Sequence, residues 1–154
     1  MKVRFTTVVE PGVVYDAKQF AREIEIYLSD PDGWASRGYE FVYVTRTPAV
    51  AIHLATPEQI RAAECGDGSL SCAELRGRHI RLNSARWSGV LPNHSKLPLD
   101  EYRQYMVTHE MGHILGHEHV ECPAHGAPAP LMMQQTLGIG ACAPNTKLTC
   151  SDRR

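Results

Sequence analysis

The sequence has no long hydrophobic run and almost no net charge, and these two absences exclude broad classes of protein. No stretch approaches the roughly 20 consecutive apolar residues that cross a bilayer, so we expect no membrane span. The 16 lysine and arginine residues are balanced by 17 aspartate and glutamate residues, which gives a formal net charge of −1. Because no basic stripe is present either, we expect no nucleic-acid partner.

Cysteine pairs at metal-binding spacing are also missing. The five cysteines form no CxxC pair, which argues against a zinc site built from cysteine. Residues 1–11 contain neither the apolar core nor the cleavage site of a secretory signal. We find no internal repeat, low-complexity run or linker, and 154 residues with 43% apolar content are enough for one hydrophobic core. We therefore predict a single domain over residues 1–154.

The most informative segment is residues 109–119, which read HEMGHILGHEH and fit the pattern HExxHxxGxxH at each fixed position. Histidines four residues apart lie one turn apart on the same helix face, so His109 and His113 can bind one metal ion. Glu110 lies about 100° around the helix, where it can reach a water beside the metal rather than the metal itself. The pattern favours a metal site over an amphipathic helix whose histidines are merely solvated.

Gly116 explains how His119 could bind the same ion. In an unbroken helix His119 would lie about 9 Å along the axis from His113 and on a different side. Glycine takes the left-handed conformation that ends a helix and reverses the chain, which would bring His119 back to the metal. The alternative ligand set of His109, His113 and His117 fails because its outer members would be about 12 Å apart. We therefore interpret His117 as a residue at the rim of the site.

The rest of the chain predicts a mixture of strands and helices, and thus an α+β (α/β) fold class. Four β-rich segments indicate strands, at residues 2–9, 39–45, 49–55 and 78–83. Helical periodicity indicates a helix over residues 17–28 with Asp16 as its cap, and a short helical turn at residues 57–64. Asp100 is expected to cap the long helix that carries the motif. Prolines and glycines after Gly116 favour an irregular tail.

The long motif resembles the signature of the metzincins, zinc peptidases in which a methionine-containing turn follows the motif. Downstream, the segment PAPLMMQQT (residues 128–136) resembles that Met-turn, with Met132 as the turn methionine and Met133 as the weaker candidate. Ordinary core packing is the alternative role for either methionine. The chain is also similar to the secreted, metzincin-like DUF3152 domains of actinobacteria, in this segment and in VEPGVVYDAKQFAREIEIYLSDPDGW, LNSARW and YRQYMVTHEMGHILGH.

The resemblance implies a metzincin-like (zincin-like) fold, in which a twisted mixed sheet lies over a backing helix and an active-site helix. An upper subdomain would extend to about residue 116, and residues 117–154 would form a short, irregular lower subdomain with the Met-turn. The substrate cleft would lie between that turn and the edge strand of the sheet, for which RHIRLN (residues 78–83) is the best candidate. Gln134 stands where some metzincins have a tyrosine that stabilises the transition state, although other metzincin families also lack it.

The cysteine spacing suits two disulfides. Cys65 and Cys72 flank a short glycine-containing loop, and a bridge between Cys122 and Cys142 would close the segment that carries the Met-turn candidate. Cys150 would be left over, either free or paired differently, and the alternative is that all five cysteines are reduced. Disulfides would indicate an oxidising compartment, which agrees with the secreted family that the chain resembles. We therefore expect a secreted or extracellular protein.

The motif predicts a hydrolase with Zn²⁺ as its cofactor. Three histidines leave one of the four zinc positions open, which is typical of a catalytic site, and Glu110 would be the general base. We therefore expect a zinc-dependent metalloendopeptidase, a metalloprotease that cleaves a peptide or protein substrate and acts as a monomer. Three alternatives stay open: a non-catalytic zinc-containing binding module, a zinc hydrolase of a cell-wall amide, and a structural zinc domain with a fourth protein ligand.

Overall fold

A five-stranded mixed sheet is the frame on which the other elements pack. The computed structural model of the protein describes residues 1–153. The strands are β1 (Lys2–Val9), β2 (Glu40–Tyr43), β3 (Val50–Ala55), β4 (Cys72–Glu74) and β5 (His79–Asn83). Their order across the sheet is β2-β1-β3-β5-β4. Four strands are parallel to one another, and the short edge strand β4 is antiparallel to β5.

The fold is mixed α+β, with four α-helices beside the sheet. They are α1 (Ala17–Leu28), α2 (Pro57–Ala62), α3 (Ser84–Trp87) and α4 (Leu99–Ile114). Three short 3₁₀-helices span Trp34–Arg37, Gln135–Leu137 and Cys150–Asp152. Each of these helices within residues 1–153 is too short or too polar to cross a membrane.

The hydrophobic core lies between the sheet, α1 and α4. Fully buried side chains from all three meet there, including Phe5, Ile52, Leu54, Ile80 and Leu82 of the strands, Phe20 and Ile24 of α1, and Val107 and Met111 of α4. Burying a side chain of this size contributes about 1.5–3 kcal/mol. The packing of α4 against this layer makes the helix that carries the motif a rigid part of the domain.

Most strands and helices lie where the sequence predicts them. The strand predicted at residues 2–9 is confirmed with the same bounds, and those predicted at 39–45, 49–55 and 78–83 are confirmed with slightly shorter ones. Helix α1 begins after Asp16, whose carboxylate accepts the N–H of Gln19 at 2.7 Å. The predicted cap of α4 is wrong. That helix begins at Leu99 after Pro98, and Asp100 lies inside its first turn. The φ of Pro98 is −56°, so its ring holds the backbone at a φ that suits the start of a helix. Asp100 lies in the first turn, where its negative charge interacts favourably with the positive end of the helix dipole.

The predicted edge strand is also wrong. The segment RHIRLN forms β5, which pairs with β3 on one side and with β4 on the other, so it is internal. The edge next to β5 is β4, where Cys72 pairs with Arg81 and Glu74 pairs with His79. A strand of three residues is too short to show the alternation that identifies a strand in a sequence.

The chain after α4 contains two 3₁₀-helices and, within the described residues, no strand. One isolated bridge joins Pro128 to Ala143. Two disulfides are present, Cys65–Cys72 and Cys122–Cys142, as the cysteine spacing predicts, and Cys150 is free and exposed. Disulfides of this kind are compatible with an extracellular protein.

Candidate metal centre

Two histidines of α4 and one from the chain beyond it converge on a single point. The Nε2 atom of His119 lies 3.3 Å from Nε2 of His109 and 3.1 Å from Nε2 of His113. The candidate ligand atoms of the three side chains all lie within 4.8 Å of one another. Among residues 1–153, this is the one group of three or more histidine, cysteine or acidic side chains that comes together in this way.

A chain reversal at Gly116 brings the third histidine to the other two. Gly116 has a φ of 94°, in the left-handed region that favours glycine. The N–H of Gly116 bonds to the carbonyl of His113 at 2.9 Å, and the N–H of His117 bonds to the carbonyl of Gly112 at 2.9 Å. These two bonds are the Schellman pattern that closes a helix with a left-handed residue. The chain therefore turns back immediately after α4, and His119 faces the helix that it has just left.

The hydrogen bonds of the imidazole rings leave their Nε2 lone pairs available. Nδ1 of His109 lies 2.8 Å from the carbonyl oxygen of Leu131, and Nδ1 of His113 lies 2.9 Å from that of His117. Because a carbonyl oxygen only accepts, each Nδ1 must carry the proton and donate it. In a neutral ring the Nε2 atom then carries a lone pair, as a metal ligand requires.

Burial keeps these rings neutral. Loss of solvent lowers the pKa of His109 to about 3, with smaller contributions from the neighbouring histidines. The pKa values of His113 and His119 are also lowered, again chiefly by burial. At neutral pH, the Nε2 lone pairs of the uncharged His109 and His113 rings therefore point towards Nε2 of His119. A cation that binds between the three rings would be held by these lone pairs.

The spacing of the three nitrogens fits a small divalent metal ion. A tetrahedral zinc ion with bonds of about 2.0–2.1 Å to nitrogen holds its ligand atoms about 3.3 Å apart. The Nε2 separations of 3.1 and 3.3 Å agree with that value. Imidazole suits zinc, copper, iron and nickel, so these three side chains could hold an ion of that kind. The side chains that the motif predicts as ligands thus form a site with the right geometry.

Glu110 lines the same cavity as the three histidines. Its side chain is buried, and loss of solvent raises its pKa to about 8. None of the hydrogen bonds and ion pairs within residues 1–153 involves its carboxyl group. A buried carboxyl group without a partner destabilises the fold, so its presence beside the histidines needs a functional reason.

The cavity has a volume of about 310 Å³ and lies between β4, α4 and the chain around Gln135–Leu137. The edge strand and its flanks contribute Leu70, Ser71, Cys72, Ala73 and Leu75, the helix contributes Tyr102, Tyr105 and Met106, and the third wall contains Gln134, Thr136 and Leu137. Glu110 is the one carboxylic acid in this lining, which contains no lysine or arginine. Leu75 and Leu137 are 60% and 62% exposed, so this apolar cavity has an apolar rim.

Met132 packs directly beneath the motif. It is fully buried, and a Cβ atom added to Gly112 would lie 2.3 Å from its Sδ atom. The same Cβ would lie 2.7 Å from Cζ2 of Trp34. Gly112 lies between the two helical histidines. Because it has no side chain, Met132 and Trp34 can pack against the backbone of α4 there. Met133 packs elsewhere, in a small cluster with residues of the tail such as Ile139.

Several supporting residues were not identified from the sequence. Gly112 did give a signal, because glycine within a helix costs about 1 kcal/mol relative to alanine and so indicates a close approach. Trp34 gave none, although its Nε1–H donates to the carbonyl of Thr108 at 2.8 Å. Its ring packs against that of His117 at a tilt of 32°, with the ring centroids 4.4 Å apart. His117 thus contributes its carbonyl oxygen to the site, and its ring packs against Trp34.

Tyr105 and Asp152 connect the chain around Met132 to its surroundings. The hydroxyl group of Tyr105 donates to the carbonyl of Met133 at 2.6 Å and accepts the N–H of Gln135 at 2.9 Å. The carboxylate of Asp152 accepts backbone N–H groups on the other side of the same segment. Hydrogen bonds with Tyr105 on one side and with Asp152 on the other therefore fix the position of the methionine-containing turn.

Comparison with known proteins identifies one family. The family model described as "Protein of unknown function (DUF3152)" matches residues 1–147. That range includes all five strands, the four α-helices and the three histidines, whereas Asp152 lies outside it. Neither the curated proteins nor the solved structures contain a match.

Proposed function

The chain belongs to the DUF3152 family, and we propose that it is a zinc-dependent metalloendopeptidase of the metzincin type. One observation carries this proposal. Three imidazole Nε2 atoms converge at metal-binding distances, and a buried carboxyl group without a hydrogen-bond partner lines the same cavity. Zinc is the ion that best fits three neutral imidazoles at tetrahedral spacing.

The ligand set favours a catalytic site over a structural one. A structural zinc ion has four protein ligands, whereas a catalytic ion has three and an open position. Within residues 1–153, no fourth histidine, cysteine or acidic side chain joins the three histidines. When bound, zinc would supply Lewis-acid activation of a water molecule and of the scissile carbonyl group.

Glu110 is the group that moves the proton in this proposal. Its carboxylate takes a proton from the attacking water as the bond between the water oxygen and the carbonyl carbon forms. It then gives that proton to the leaving amine nitrogen as the carbon–nitrogen bond breaks. Overall, the reaction consumes one water molecule and breaks one amide bond, and Glu110 returns to its starting protonation state. Burial raises the pKa of Glu110 to about 8 in the metal-free protein, and a cation bound beside it would favour the carboxylate form that takes the proton.

The cavity walls favour an extended peptide as the substrate. Strand β4 pairs with β5 on one side only, so its other edge can bond to the backbone of an added strand. The apolar lining next to the histidines would accept an apolar side chain of that peptide, flanked by Leu75 and Leu137 at the rim. We therefore propose substrates with a large apolar side chain beside the scissile bond.

The metzincin assignment rests on the long motif and on the segment that follows it. Met132 lies beneath the helical histidines and contacts the backbone of α4. A Met-turn methionine would be expected at this position. Gln134 lines the cavity where some metzincins have a tyrosine. We therefore propose that transition-state stabilisation here depends on the metal and not on a tyrosine from this turn. We propose a secreted location on the basis of the disulfides and the family resemblance.

Mass-spectrometric profiling of a peptide library tests this function. The zinc-loaded protein should cleave internal peptide bonds, a chelator should stop the cleavage, and added zinc should restore it. The Glu110→Gln variant is the matched control, since it keeps the histidines and loses the base. Cleavage of muropeptides without any cleavage of the peptide library would favour the cell-wall amidase, and inactivity on both would refute hydrolysis.

A further inference from the structure

The peptide group between Leu131 and Met132 lies between a candidate metal ligand and a buried carboxylate. Its carbonyl oxygen accepts the Nδ1–H of His109 at 2.8 Å. The N–H of the same peptide group, on Met132, donates to Oδ1 of Asp152 at 2.7 Å. The adjacent N–H, on Leu131, donates to Oδ2 of Asp152 at 3.0 Å. His109 and Asp152 are thus connected through one planar amide.

The side chain of Asp152 accepts four hydrogen bonds. Its side chain is buried, and Oδ2 also accepts the backbone N–H of Thr149 at 2.7 Å and the hydroxyl group of Thr149 at 2.9 Å. Three of the four donors contact Oδ2, and the N–H of Met132 contacts Oδ1. No lysine, arginine or histidine within residues 1–153 forms an ion pair with it, and neutral donors therefore hold the charge.

We propose that Asp152 is a positioning residue for the metal site, which fixes and polarises the Leu131–Met132 peptide group and through it orients His109. A carboxylate at the N–H end of an amide makes the carbonyl end a stronger acceptor, because hydrogen bonds in a chain polarise one another. A stronger acceptor for Nδ1–H fixes the tautomer of His109 and makes its Nε2 atom more basic. Partners of this kind change metal affinity about 10–100-fold when they are removed.

This inference rests on the proposed metal site but needs no peptidase activity. It also assigns a function to the end of the tail. The 3₁₀-helix Cys150–Asp152 would otherwise be a surface turn, yet it delivers a buried charge to the segment under the histidines. Arg37 further anchors this turn through the carbonyl groups of Thr149 and Asp152, at 3.4 and 3.3 Å.

The test compares Asp152→Asn with Thr149→Val. Asparagine keeps the size of the side chain, but in either orientation its NH₂ group faces a backbone N–H of Leu131 or Met132. Thr149→Val also removes two hydrogen bonds from the tail, those that its hydroxyl group makes with Asp152 and with the N–H of Ser151. It leaves the connection to His109 intact. Asp152→Ala, which removes the carboxylate without adding a donor, is measured beside them.

Zinc affinity is measured by competition with a chelator, and the His109 ring is observed by NMR in the metal-free protein. We expect both Asp152 variants to bind zinc about 10–100-fold more weakly, whereas Thr149→Val binds it like the parent. We also expect an exchange-protected Nδ1–H signal of His109 in the parent and in Thr149→Val, and its loss in the Asp152 variants. Unchanged zinc affinity in the Asp152 variants, or an equal loss in Thr149→Val, would overturn the proposal.

The parent protein offers a measurement that does not depend on any variant. The amide proton of Met132 should be strongly protected from hydrogen exchange and shifted downfield, because it donates to a buried carboxylate. Rapid exchange of this proton in the folded protein would contradict the proposed connection. A parent that binds zinc in an Asp152-dependent way but cleaves no substrate would refute the peptidase proposal and leave this inference standing.

Discussion

The candidate metal site joins two regions that are held together by different forces. The frame, residues 1–115, contains every strand and α-helix found in residues 1–153 and is stabilised by a large apolar core. The tail, residues 116–153, has two short 3₁₀-helices and only a small apolar cluster around Ala129, Met133 and Ile139. The frame supplies His109 and His113, and the tail supplies His119.

The tail takes its shape from polar side chains that bond to its backbone. Gln135 donates to the carbonyls of Pro130 and Asn145, and Asn145 donates to those of Ala129 and Lys147. The Cys122–Cys142 disulfide adds a covalent link. Substitutions in the frame should therefore lower global stability, whereas substitutions in the tail should first change the geometry of the metal site.

The largest effect should come from Glu110→Gln in the frame. Removal of the proposed general base should lower peptide cleavage about 10²–10⁴-fold, whereas zinc affinity stays near that of the parent because the three candidate ligands are unchanged. His113→Ala and His119→Ala, one ligand from each region, should lose both zinc and activity. Steady-state cleavage and chelator competition measure the two properties. Cleavage by Glu110→Gln at the parent's rate would show that another group is the base.

The pH dependence of the metal-free protein should reveal the cost of the buried Glu110. Its folded pKa of about 8 exceeds the ordinary value of 4.5, so the folded state retains a proton that the unfolded chain loses. Stability should therefore fall as the pH rises from 4.5 to 8. His109 acts in the opposite sense. Its folded pKa of about 3 lies below 6.5, so the unfolded chain binds the extra proton, and stability should fall as the pH drops from 6.5 to 3.

These opposing effects place the stability maximum of the metal-free protein between about pH 4.5 and 6.5. The Glu110→Gln variant should not lose stability in this way as the pH rises above 4.5, because glutamine does not titrate. Relative to the parent, it should gain about 3 kcal/mol of unfolding free energy between pH 4 and pH 7. Urea unfolding of both proteins in the presence of a chelator measures this gain. A difference between the two that does not change with pH would show that Glu110 is not desolvated.

The two disulfides should have different consequences, because one lies in each region. Cys122–Cys142 closes a separation of 20 residues, and its replacement by serines should cost about 3 kcal/mol and weaken zinc binding through the tail. Cys65–Cys72 closes only seven residues at the edge strand, and its loss should cost about 2 kcal/mol. That loss should raise KM with zinc affinity retained, since Cys72 lines the cavity and binds no metal. Equal effects of both replacements on zinc affinity would contradict this division.

The smallest effect should come from the cavity rim. Leu137→Lys places a charge beside the apolar cavity and should raise KM about tenfold for peptides with an apolar side chain at the scissile bond. The value of kcat and the zinc affinity should stay unchanged. Ile26→Lys is the control, since Ile26 is 68% exposed on α1 and does not line the cavity. An equal rise in KM for both variants would show that Leu137 does not contact the substrate.

The frame could be predicted from the sequence better than the tail could. Helix α1 and strands β1 and β3 repeat a periodic pattern over six or more residues, which is enough to identify them. The motif itself predicted which three histidines meet, because HExxHxxGxxH encodes both a helix face and the turn that ends it. Such features depend on residues that are close together in the chain.

What could not be predicted depends on distant contacts. The position of β4 at the edge follows from its pairing with β5, and no pattern of three residues shows that. The segment Thr149–Asp152 does carry a local signal, since its spacing is that of a capping box, and this box is present. Nothing in that spacing shows that the same carboxylate also bonds to Leu131 and Met132, about twenty residues earlier.

A crystal structure of the zinc-loaded protein, with anomalous data at the zinc edge, examines the metal site itself. We expect one ion bonded to the Nε2 atoms of His109, His113 and His119 at about 2.0–2.1 Å, with solvent in the remaining position and Glu110 beside it. An ion bound elsewhere, a His119 ring turned away from it, or a fourth protein side chain among its ligands would contradict the proposed centre.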